Sequence, residues 1–414
     1  MTQVDYETVA AKYRPIFDRI AESAVQREQD RMLPYEQIGW LKDAGFGAAR
    51  IPVEFGGDGL SWPQFSRLLI ELGTADSNIP QALRAHTALV EEHLFHHSKH
   101  DRSVWFERFA AGQIAGNAWT EPGVGGTATV LEETAEGLRL TGRKFYTTGT
   151  IFADWIDATA QRPDGSTVSV TVSTKADGVT TFDDWDGFGQ RLTGSGTTIF
   201  DSAHVEPEHV SDFETRFPYQ TALFQQILLI TLAGIGKAVQ RDVADAVRER
   251  KRAFSHGNAD LVRYDAQVQQ VVGEITAKVY AAEATTIRVA ESLEHAYQTR
   301  LLDDEAQVDG KIAAELESGQ GQIVLSNLIP EVAGALFNVL GASSTSAGRA
   351  LDRHWRNART VATHNPFIYK ARVIGDWVIN GAKPPYVWSI GVQKKQQEET
   401  DEGGVPVVAG QTAC

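Results

Sequence analysis

The period of the hydrophobic positions changes twice along the chain. From Tyr6 to about residue 111, apolar side chains recur every three or four positions, which predicts amphipathic helices. Short β-branched runs follow, such as Thr167–Ser173, and their alternating pattern predicts strands. After Phe217 the helical period returns in four long stretches, which predict a helical bundle. These stretches cover residues 222–252, 264–295, 310–340 and 367–380.

The changes of period predict an α+β chain with distinct regions. We expect an N-terminal helical domain over residues 1–113, a middle β domain over 114–212, a C-terminal bundle over 213–395 and a mobile tail over 396–414. The length of 414 residues supports this division, because one hydrophobic core rarely extends beyond about 250 to 300 residues. A Rossmann chain is excluded, because strands and helices do not alternate and no Gly-x-Gly-x-x-Gly follows a strand.

Composition narrows the function classes. The 39 basic and 54 acidic residues give a net charge of −15, which disfavours binding to nucleic acid or to an anionic membrane. Cys414 is the single cysteine, so we expect no disulfide, no cysteine-ligated metal and no cysteine nucleophile. We expect no signal peptide, and no window that approaches the roughly 20 apolar residues of a membrane span. These features predict a soluble cytoplasmic protein without a metal centre.

Two segments near the middle of the chain carry side chains that suit a ligand site. The stretch 116–126 combines glycines with the hydrogen-bonding side chains of Asn117 and Thr120, although an ordinary interdomain turn has the same composition. Further on, a strand with two aromatic residues leads into Thr147 and Thr148. These hydroxyls could contact a ligand or could satisfy neighbouring backbone groups.

Two later segments are also candidates. A glycine-rich loop carries Trp185 and Phe188, which could line a pocket or pack on the bundle. Three arginines at intervals of three share one face of a predicted helix, and they suit a phosphate or a neighbouring subunit better than a solvated stripe. They are Arg353, Arg356 and Arg359.

These segments follow one another in the order of a known family. The chain resembles the acyl-CoA dehydrogenase superfamily over nearly its whole length, through residues 51–60 (Ile-Pro-Val-Glu-Phe-Gly-Gly-Asp-Gly-Leu), Thr120-Glu-Pro-Gly and Lys144-Phe-Tyr-Thr-Thr-Gly. The resemblance implies an N-terminal helical domain, a middle β-barrel domain, a C-terminal four-helix bundle and, as a rule, a homotetramer.

The resemblance departs from the dehydrogenases at the catalytic base. Those enzymes remove a proton with a glutamate, whereas this chain has no glutamate between Arg359 and His364 and only glutamines directly after Phe224. The segments 189–196 and 354–360, together with His364-Asn-Pro, resemble instead the flavin-dependent monooxygenase branch. That branch includes dibenzothiophene monooxygenase and related sulfur-acquisition oxygenases.

This branch implies an oxygenase with a separate source of electrons. Reduced FMN, supplied by an NADH-dependent flavin reductase, would react with O2 to give a C4a-hydroperoxide that oxygenates a small, sulfur-containing substrate. FAD in place of FMN stays open, as does oxygenation at carbon or nitrogen. The alternatives are an FAD-dependent acyl-CoA dehydrogenase or related oxidase of the same fold, and a catalytically silent scaffold.

The resemblance also assigns roles to individual residues. Catalytic roles are expected for His364, His86, Thr148 and Asn117. Cofactor contacts are expected from Asn117, Thr120, Thr147, Thr148, Arg252, Ser343 and Ser344. A water-excluding substrate pocket is expected from Tyr146, Trp185 and Phe188. His364 is expected to exchange protons with a pKa near the ordinary value of about 6.5.

Overall fold

The computed structural model of the protein describes residues 4–121 and 129–386. Its N-terminal region is helical, with α1 (Tyr6–Glu22), α2 (Ala24–Asp30), α3 (Tyr35–Asp43), α4 (Trp62–Ala75), α5 (Asn78–Ala82), α6 (Arg84–His96) and α7 (Ser103–Ala110). The helix α1 begins where the Asp5 side chain accepts a hydrogen bond from the Thr8 backbone N–H. One face of α1 then buries Tyr13, Phe17 and Ile20, as its apolar period predicts.

The middle region is a mixed sheet of eight strands. They are β1 (Ala115–Ala118), β2 (Val130–Thr134), β3 (Gly137–Phe145), β4 (Trp155–Gln161), β5 (Thr167–Ser173), β6 (Val179–Thr181), β7 (Thr197–Val205) and β8 (Val210–Asp212). The strand order is β6-β7-β3-β2-β4-β5-β8, and β1 lies parallel to β4. Among the described residues the pairing runs from β6 to β8, and this sheet is the predicted middle β domain.

Long helices form the C-terminal region. They are α8 (Gln220–Glu249), α9 (Ala266–Gln298), α10 (Asp304–Leu340), α11 (Asp352–Ala362) and α12 (Lys370–Asn380). The helices α8, α9 and α10 pack together around a core that includes Leu229, Val279 and Ile329. Four of these helices match the predicted stretches to within a few residues. The fifth, α11, carries the three arginines and was anticipated only as a helical turn.

Two of these helices are long and apolar enough to cross a membrane. Their most apolar 18-residue windows have mean hydropathies of 1.6 in α8 and 1.7 in α10, so the expectation that no window approaches a span is wrong. In α8, 89% of the window is buried inside the protein, against 44% in α10. The apolar run of α8 therefore serves the core of the folded chain.

The three regions meet around α8. The helix α4 crosses α8 at Gly73 and Gly234, where a Cβ added to Gly234 would lie 2.7 Å from the Gly73 backbone carbon. The middle region reaches the N-terminal end of α8, because the Trp119 ring lies 5.0 Å from the Phe224 ring in an edge-to-face contact. The predicted order of helical domain, β domain and helical bundle is confirmed.

Candidate functional site

The ends of four elements form the candidate site. The loop after β3 packs directly on the residues before α6, since Gly149 has a φ of +79° and a Cβ there would lie 2.0 Å from the Ala82 carbonyl oxygen. The Asn117 backbone N–H at the end of β1 donates to the Thr148 carbonyl over 3.2 Å. The backbones of Asn117 and Thr148 thus lie close to the residues before α6.

A buried ion pair joins the two sequence motifs of the middle region. Lys144 Nζ lies 2.5 Å from Glu121 Oε1, and the Lys144 side chain is fully buried. Thr120 Oγ1 donates to the Phe145 carbonyl over 2.6 Å, which adds a second link between the same segments. Sequence reasoning singled out Thr120 but missed the Lys144–Glu121 pair, although both residues stand inside the quoted motifs.

The hydroxyl of Thr148 belongs to a chain of three hydroxyls in which the direction of hydrogen-bond donation is fixed. Thr193 Oγ1 donates to the Gln190 carbonyl over 3.0 Å, so it must accept from Ser195 Oγ, 2.7 Å away. Ser195 Oγ then accepts from Thr148 Oγ1 over 2.8 Å. The Thr148 hydroxyl proton is therefore donated to Ser195, while a lone pair on the Thr148 oxygen can still accept a hydrogen bond.

Thr147 differs from its neighbour. Its hydroxyl donates to the Gly196 carbonyl over 2.8 Å and accepts from Thr198 Oγ1 over 2.8 Å. The side chain is buried within the sheet and its hydrogen bonds hold β3 against β7. These hydrogen bonds give the Thr147 hydroxyl a structural use, and its contact with a cofactor stays a prediction.

An aromatic and cationic wall faces these strands from the helical side. The Arg84 guanidinium carbon lies 5.1 Å from the centre of the Phe224 ring, at the start of α6 and the start of α8 respectively. Phe224 in turn contacts Trp119. Arg84 has no carboxylate or hydrogen-bond partner within residues 4–121 and 129–386, and desolvation lowers its pKa to about 10.

His364 lies on the same wall, immediately after α11. Its Nδ1 lies 3.2 Å from Asn365 Oδ1, and Asn365 Nδ2 donates to Gln225 Oε1 over 2.9 Å. Because the amide oxygen can only accept, Nδ1 carries the ring proton and Nε2 is left as an acceptor. The His364 edge is open to solvent, as expected at the rim of a cleft.

The electrostatics of His364 differ from the expectation. Desolvation by the surrounding protein, and secondly the charge of Arg84, lower the pKa of His364 to about 3. This pKa lies below the expected value near 6.5. At neutral pH the ring is uncharged and presents an acceptor.

His86 does not reach the cleft as a free side chain. Its Nε2 lies 2.9 Å from the Gly47 carbonyl and its Nδ1 accepts from the Ala115 backbone N–H over 3.3 Å. Burial lowers the pKa of His86 to about 4. The predicted catalytic role of His86 is corrected on this ground, because both ring nitrogens are occupied in joining α6 to the segments around Gly47 and β1.

The predicted pocket aromatics form an open surface. Tyr146 and Trp185 meet edge to face at 5.8 Å, whereas Phe188 stacks on Trp355 of α11 at 6.1 Å. Tyr146 is 46% exposed and Phe188 is 55% exposed. The structure thus brings Tyr146 and Trp185 together, but the three predicted side chains do not enclose a dry pocket within one copy of the chain.

The predicted phosphate contacts lie at the other end of α8. Arg252 follows the last residue of α8 and is exposed, while Arg250 donates to the Leu340 carbonyl over 2.9 Å next to the turn that carries Ser343 and Ser344. The rise of α8 from Phe224 to Glu249 separates this end from Phe224 by roughly 40 Å at 1.5 Å per residue. One flavin mononucleotide cannot bridge both ends within a single chain.

The hydroxyls near that end differ in availability. Ser344 is buried and its Oγ donates to the Gly341 carbonyl, whereas Ser343 is exposed. Arg252 and Ser343 are therefore free to meet a ligand or another copy of the chain. Ser344 offers only its remaining lone pair.

Two of the three arginines of α11 are used inside the chain. Arg353 Nη2 lies 2.7 Å from Asp242 Oδ2, and Arg356 Nη1 lies 2.7 Å from Glu28 Oε1. The prediction that they anchor a phosphate or a neighbouring subunit is wrong, because carboxylates of this chain already neutralise them. They fasten α11 to α8 and to the N-terminal helices.

Two predicted features fall outside the described part of the chain. The glycine-rich stretch 116–126 is described only to Glu121, and the predicted tail over 396–414 lies beyond residue 386. Within the described ranges, no group of three or more histidine, cysteine, aspartate or glutamate side chains is placed to hold a metal ion.

Comparison with known proteins gives one consistent family. The sequence pattern described as "Acyl-CoA dehydrogenase, N-terminal domain" matches residues 7–113, and the pattern "Acyl-CoA dehydrogenase, C-terminal domain" matches residues 228–368. The chain is 27% identical to the probable FMNH2-dependent monooxygenase SfnC of Pseudomonas putida, over 90% of this chain and 94% of that protein. It is 25% identical to a dibenzothiophene monooxygenase of Rhodococcus erythropolis, over 89% of each chain.

A solved structure agrees with these relatives. The methanesulfinate monooxygenase MsuC of Pseudomonas fluorescens superposes with a TM-score of 0.79 at 25% identity, over 91% of this chain and 98% of that chain.

Proposed function

This chain belongs to the acyl-CoA dehydrogenase family, and from that premise we propose that it is a two-component monooxygenase that uses reduced FMN and O2 to oxygenate a small sulfur compound. The observation that carries the proposal is the set of groups at the helical wall of the cleft. Asn365 donates to Gln225 over 2.9 Å beside His364, in the two segments where the resemblance implies a glutamate base in the dehydrogenases. Amides and a neutral imidazole cannot remove an α-proton as that carboxylate does.

The residues of the cleft fit a flavin ring. Asn117 and Thr148 are joined through their backbones, Thr148 keeps an acceptor lone pair, and Trp119 and Phe224 supply an aromatic surface, a set of groups that suits a flat heterocycle with polar edges. Thr148 would accept a hydrogen bond from a ring N–H, and Thr120 would keep its strand end in place. When bound, reduced FMN supplies the electrons that activate O2.

The phosphate end of the flavin requires a second copy of the chain. Because α8 separates Arg252 and Ser343 from the ring site by roughly 40 Å, we infer that these residues hold the phosphate of a flavin whose ring lies on another copy. This arrangement agrees with the predicted homotetramer, in which each site is completed by a neighbour. The partners we propose are a separate NADH-dependent flavin reductase, O2 and the substrate, in the cytoplasm.

His364 is the proposed hydrogen-bonding group at the reacting oxygen. Its unprotonated Nε2 can accept a hydrogen bond there, and Asn365 and Gln225 hold the ring in this orientation. The open surface of Tyr146, Trp185 and Phe188 would exclude water only once flavin and a second copy cover it.

The test is single-turnover oxygenation. Protein is mixed without oxygen with reduced FMN, then with isotopically labelled O2 and a panel of dibenzothiophene, methanesulfinate and indole. We expect one labelled oxygen atom in the product. In His364→Ala we expect product yield to fall roughly 100-fold with FMN affinity unchanged, and hydrogen peroxide to accumulate instead. His100→Ala, an exposed histidine beyond α6, is the matched control.

Other outcomes decide against the proposal. Tightly bound FAD and oxidation of an acyl-CoA without O2 incorporation would establish the dehydrogenase instead. Absence of any flavin binding would leave the scaffold hypothesis. Full product yield in His364→Ala would remove the role of that residue.

A further inference from the structure

Arg84 differs from the buried arginines of this chain. Arg27, Arg50, Arg216 and Arg353 are the arginines classed as buried in the described ranges, and each lies within 3.1 Å of a carboxylate oxygen. Arg84 is partly buried at the cleft, and its guanidinium contacts only the face of Phe224 among the described residues. The fold has therefore neutralised these fully buried arginines, whereas half-buried Arg84, at the candidate site, has no carboxylate partner among the described residues.

An unpaired cation in such a place is costly. A guanidinium keeps its charge at all physiological pH values, so it must find an anion, remain hydrated or bear the desolvation penalty. The contact with Phe224 compensates for only part of that penalty. The lowered pKa of Arg84 reports the same desolvation. A ligand that brings a negative charge to the guanidinium would offset this desolvation penalty.

The surroundings define the size and chemistry of such a ligand. The nearby groups are the apolar face of Phe224, the ring of Trp119 and the acceptor Nε2 of His364. No carboxylate of the described residues lies at Arg84 to compete with an incoming anion. A short apolar group on Phe224 with an oxyanion on the guanidinium would satisfy both surfaces, since the guanidinium binds two oxygens side by side.

We propose that Arg84 binds the anionic head of the substrate, and that this substrate is a small organic oxyanion of the alkyl sulfinate type. This inference rests on the proposed function and narrows its substrate class. The reaction would be R–SO2⁻ + O2 + FMNH2 → R–SO3⁻ + FMN + H2O. Sulfur and the flavin each lose two electrons, one oxygen atom forms the new S–O bond, and the other leaves as water with the two flavin hydrogens.

The proposal separates this chain from a catalyst for neutral aromatic substrates. A neutral sulfide such as dibenzothiophene would leave the guanidinium without a counter-charge. A sulfinate would gain two charge-assisted hydrogen bonds and the specificity of their geometry. Selection between the two substrate classes would then depend on Arg84 rather than on the shape of the aromatic surface.

The test measures binding without turnover. Isothermal titration of the protein loaded with oxidised FMN uses methanesulfinate and its product methanesulfonate, with indole as the neutral probe. We expect Arg84→Gln to weaken binding of both anions by roughly 10- to 100-fold, as for loss of charge-assisted hydrogen bonds. Arg84→Lys should retain part of the affinity, because it keeps the charge but not the planar pair of donors. Binding of indole should not change.

Controls keep the outcomes distinct. Arg67→Gln removes an exposed arginine from α4 and should leave all affinities unchanged. Unchanged anion binding in Arg84→Gln would overturn the proposal. An equal loss of FMN affinity would also overturn it, by assigning Arg84 to the flavin. If wild type oxygenates dibenzothiophene but binds neither anion, this inference fails while the proposed function stands; if it binds no flavin, the proposed function itself fails.

Discussion

Two arginine sites of this chain differ in whether the fold itself supplies a counter-charge. We call the site of Arg50 closed, because a carboxylate of the chain pairs with the guanidinium, and the site of Arg84 open, because none does among the described residues. In the closed site, Arg50 lies 3.0 Å from Glu91, and the same carboxylate accepts from the Trp62 indole N–H over 3.0 Å and from the Tyr219 hydroxyl. In the open site, Arg84 meets an aromatic face and no anion in the described structure. Both guanidiniums are held against aromatic rings between helices, so burial alone does not explain the difference.

The two sites differ in whether residues of the chain supply hydrogen-bond and ion-pair partners for all of their polar groups. Glu91 reaches partners from three different elements, and removal of any one of them would leave a buried charge or donor. At the cleft, the cation of Arg84 has no anion among the described residues, and the acceptor nitrogen of nearby His364 has no hydrogen-bond partner there. A group of incompletely satisfied polar atoms at one cleft is the pattern expected of a ligand site.

The largest loss of stability is expected from removal of the Glu91 carboxylate that pairs with Arg50. Glu91→Ala leaves buried Arg50 with only the more distant Glu294 carboxylate, 3.6 Å from its Nη1, so the free energy of unfolding should fall by about 3 kcal/mol, measured by urea denaturation. Glu7→Ala removes an exposed ion pair with Arg14 and should cost no more than about 1 kcal/mol. Equal losses of stability in the two variants would show that the buried ion pair contributes no more than the exposed one.

Acid should also act on the closed parts of the fold. Burial lowers the pKa of His86 to about 4, so the folded state keeps this ring neutral while the unfolded chain protonates near pH 6.5. The stabilisation is complete above pH 6.5 and is lost as the pH falls toward 4, by up to about 3 kcal/mol. Urea denaturation at several pH values should show this slope.

His86→Gln tests the assignment of that slope. An amide can donate to the Gly47 carbonyl and accept from the Ala115 N–H without titrating. The variant should therefore lose stability less steeply between pH 6.5 and 4 than wild type. An identical slope would mean that other buried groups, such as His93 with a pKa lowered by burial to about 3, account for it.

The sequence predicted the closed parts of this molecule better than the open site. Apolar periods of two and of three to four gave the sheet and the long helices, because one buried face repeats along each element. The same periods concealed that α8 is buried on nearly all sides between Ala222 and Val239, since its opposite faces pack on α4 and on α9. That is why the span-like window of α8 was not anticipated.

The site residues were predicted where a motif marked them and missed elsewhere. Thr148 and His364 stand in recognisable strings, whereas Arg84 opens a helix whose sequence has no chemical motif. Its significance depends on the absence of a carboxylate nearby in space, which no local pattern records. His86 was misassigned for the complementary reason, because Gly47 lies 39 residues away in the chain and its carbonyl occupies the ring.

Removal of the Arg84 charge should leave the fold intact. Arg84→Leu deletes a desolvated cation that has no counter-ion in the described structure, so the free energy of unfolding should stay unchanged or rise by about 1 kcal/mol. The same variant should lose binding of methanesulfinate. A loss of more than about 1 kcal/mol in urea denaturation would show that Arg84 is structural, like Arg50.

The smallest expected effect is on the pKa of His364. Desolvation is the larger cause of its low value and the positive charge of Arg84 is the second, so Arg84→Gln should raise this pKa while leaving it below 6.5. We expect a rise of less than about one pH unit, followed by NMR of the imidazole protons, with Arg67→Gln as the unchanged control. Methanesulfonate added to wild type should raise the pKa in the same direction, because a bound anion neutralises Arg84. Bound anion should have no such effect in Arg84→Gln. A pKa of His364 that responds to neither change would place the guanidinium and the imidazole too far apart to share one ligand.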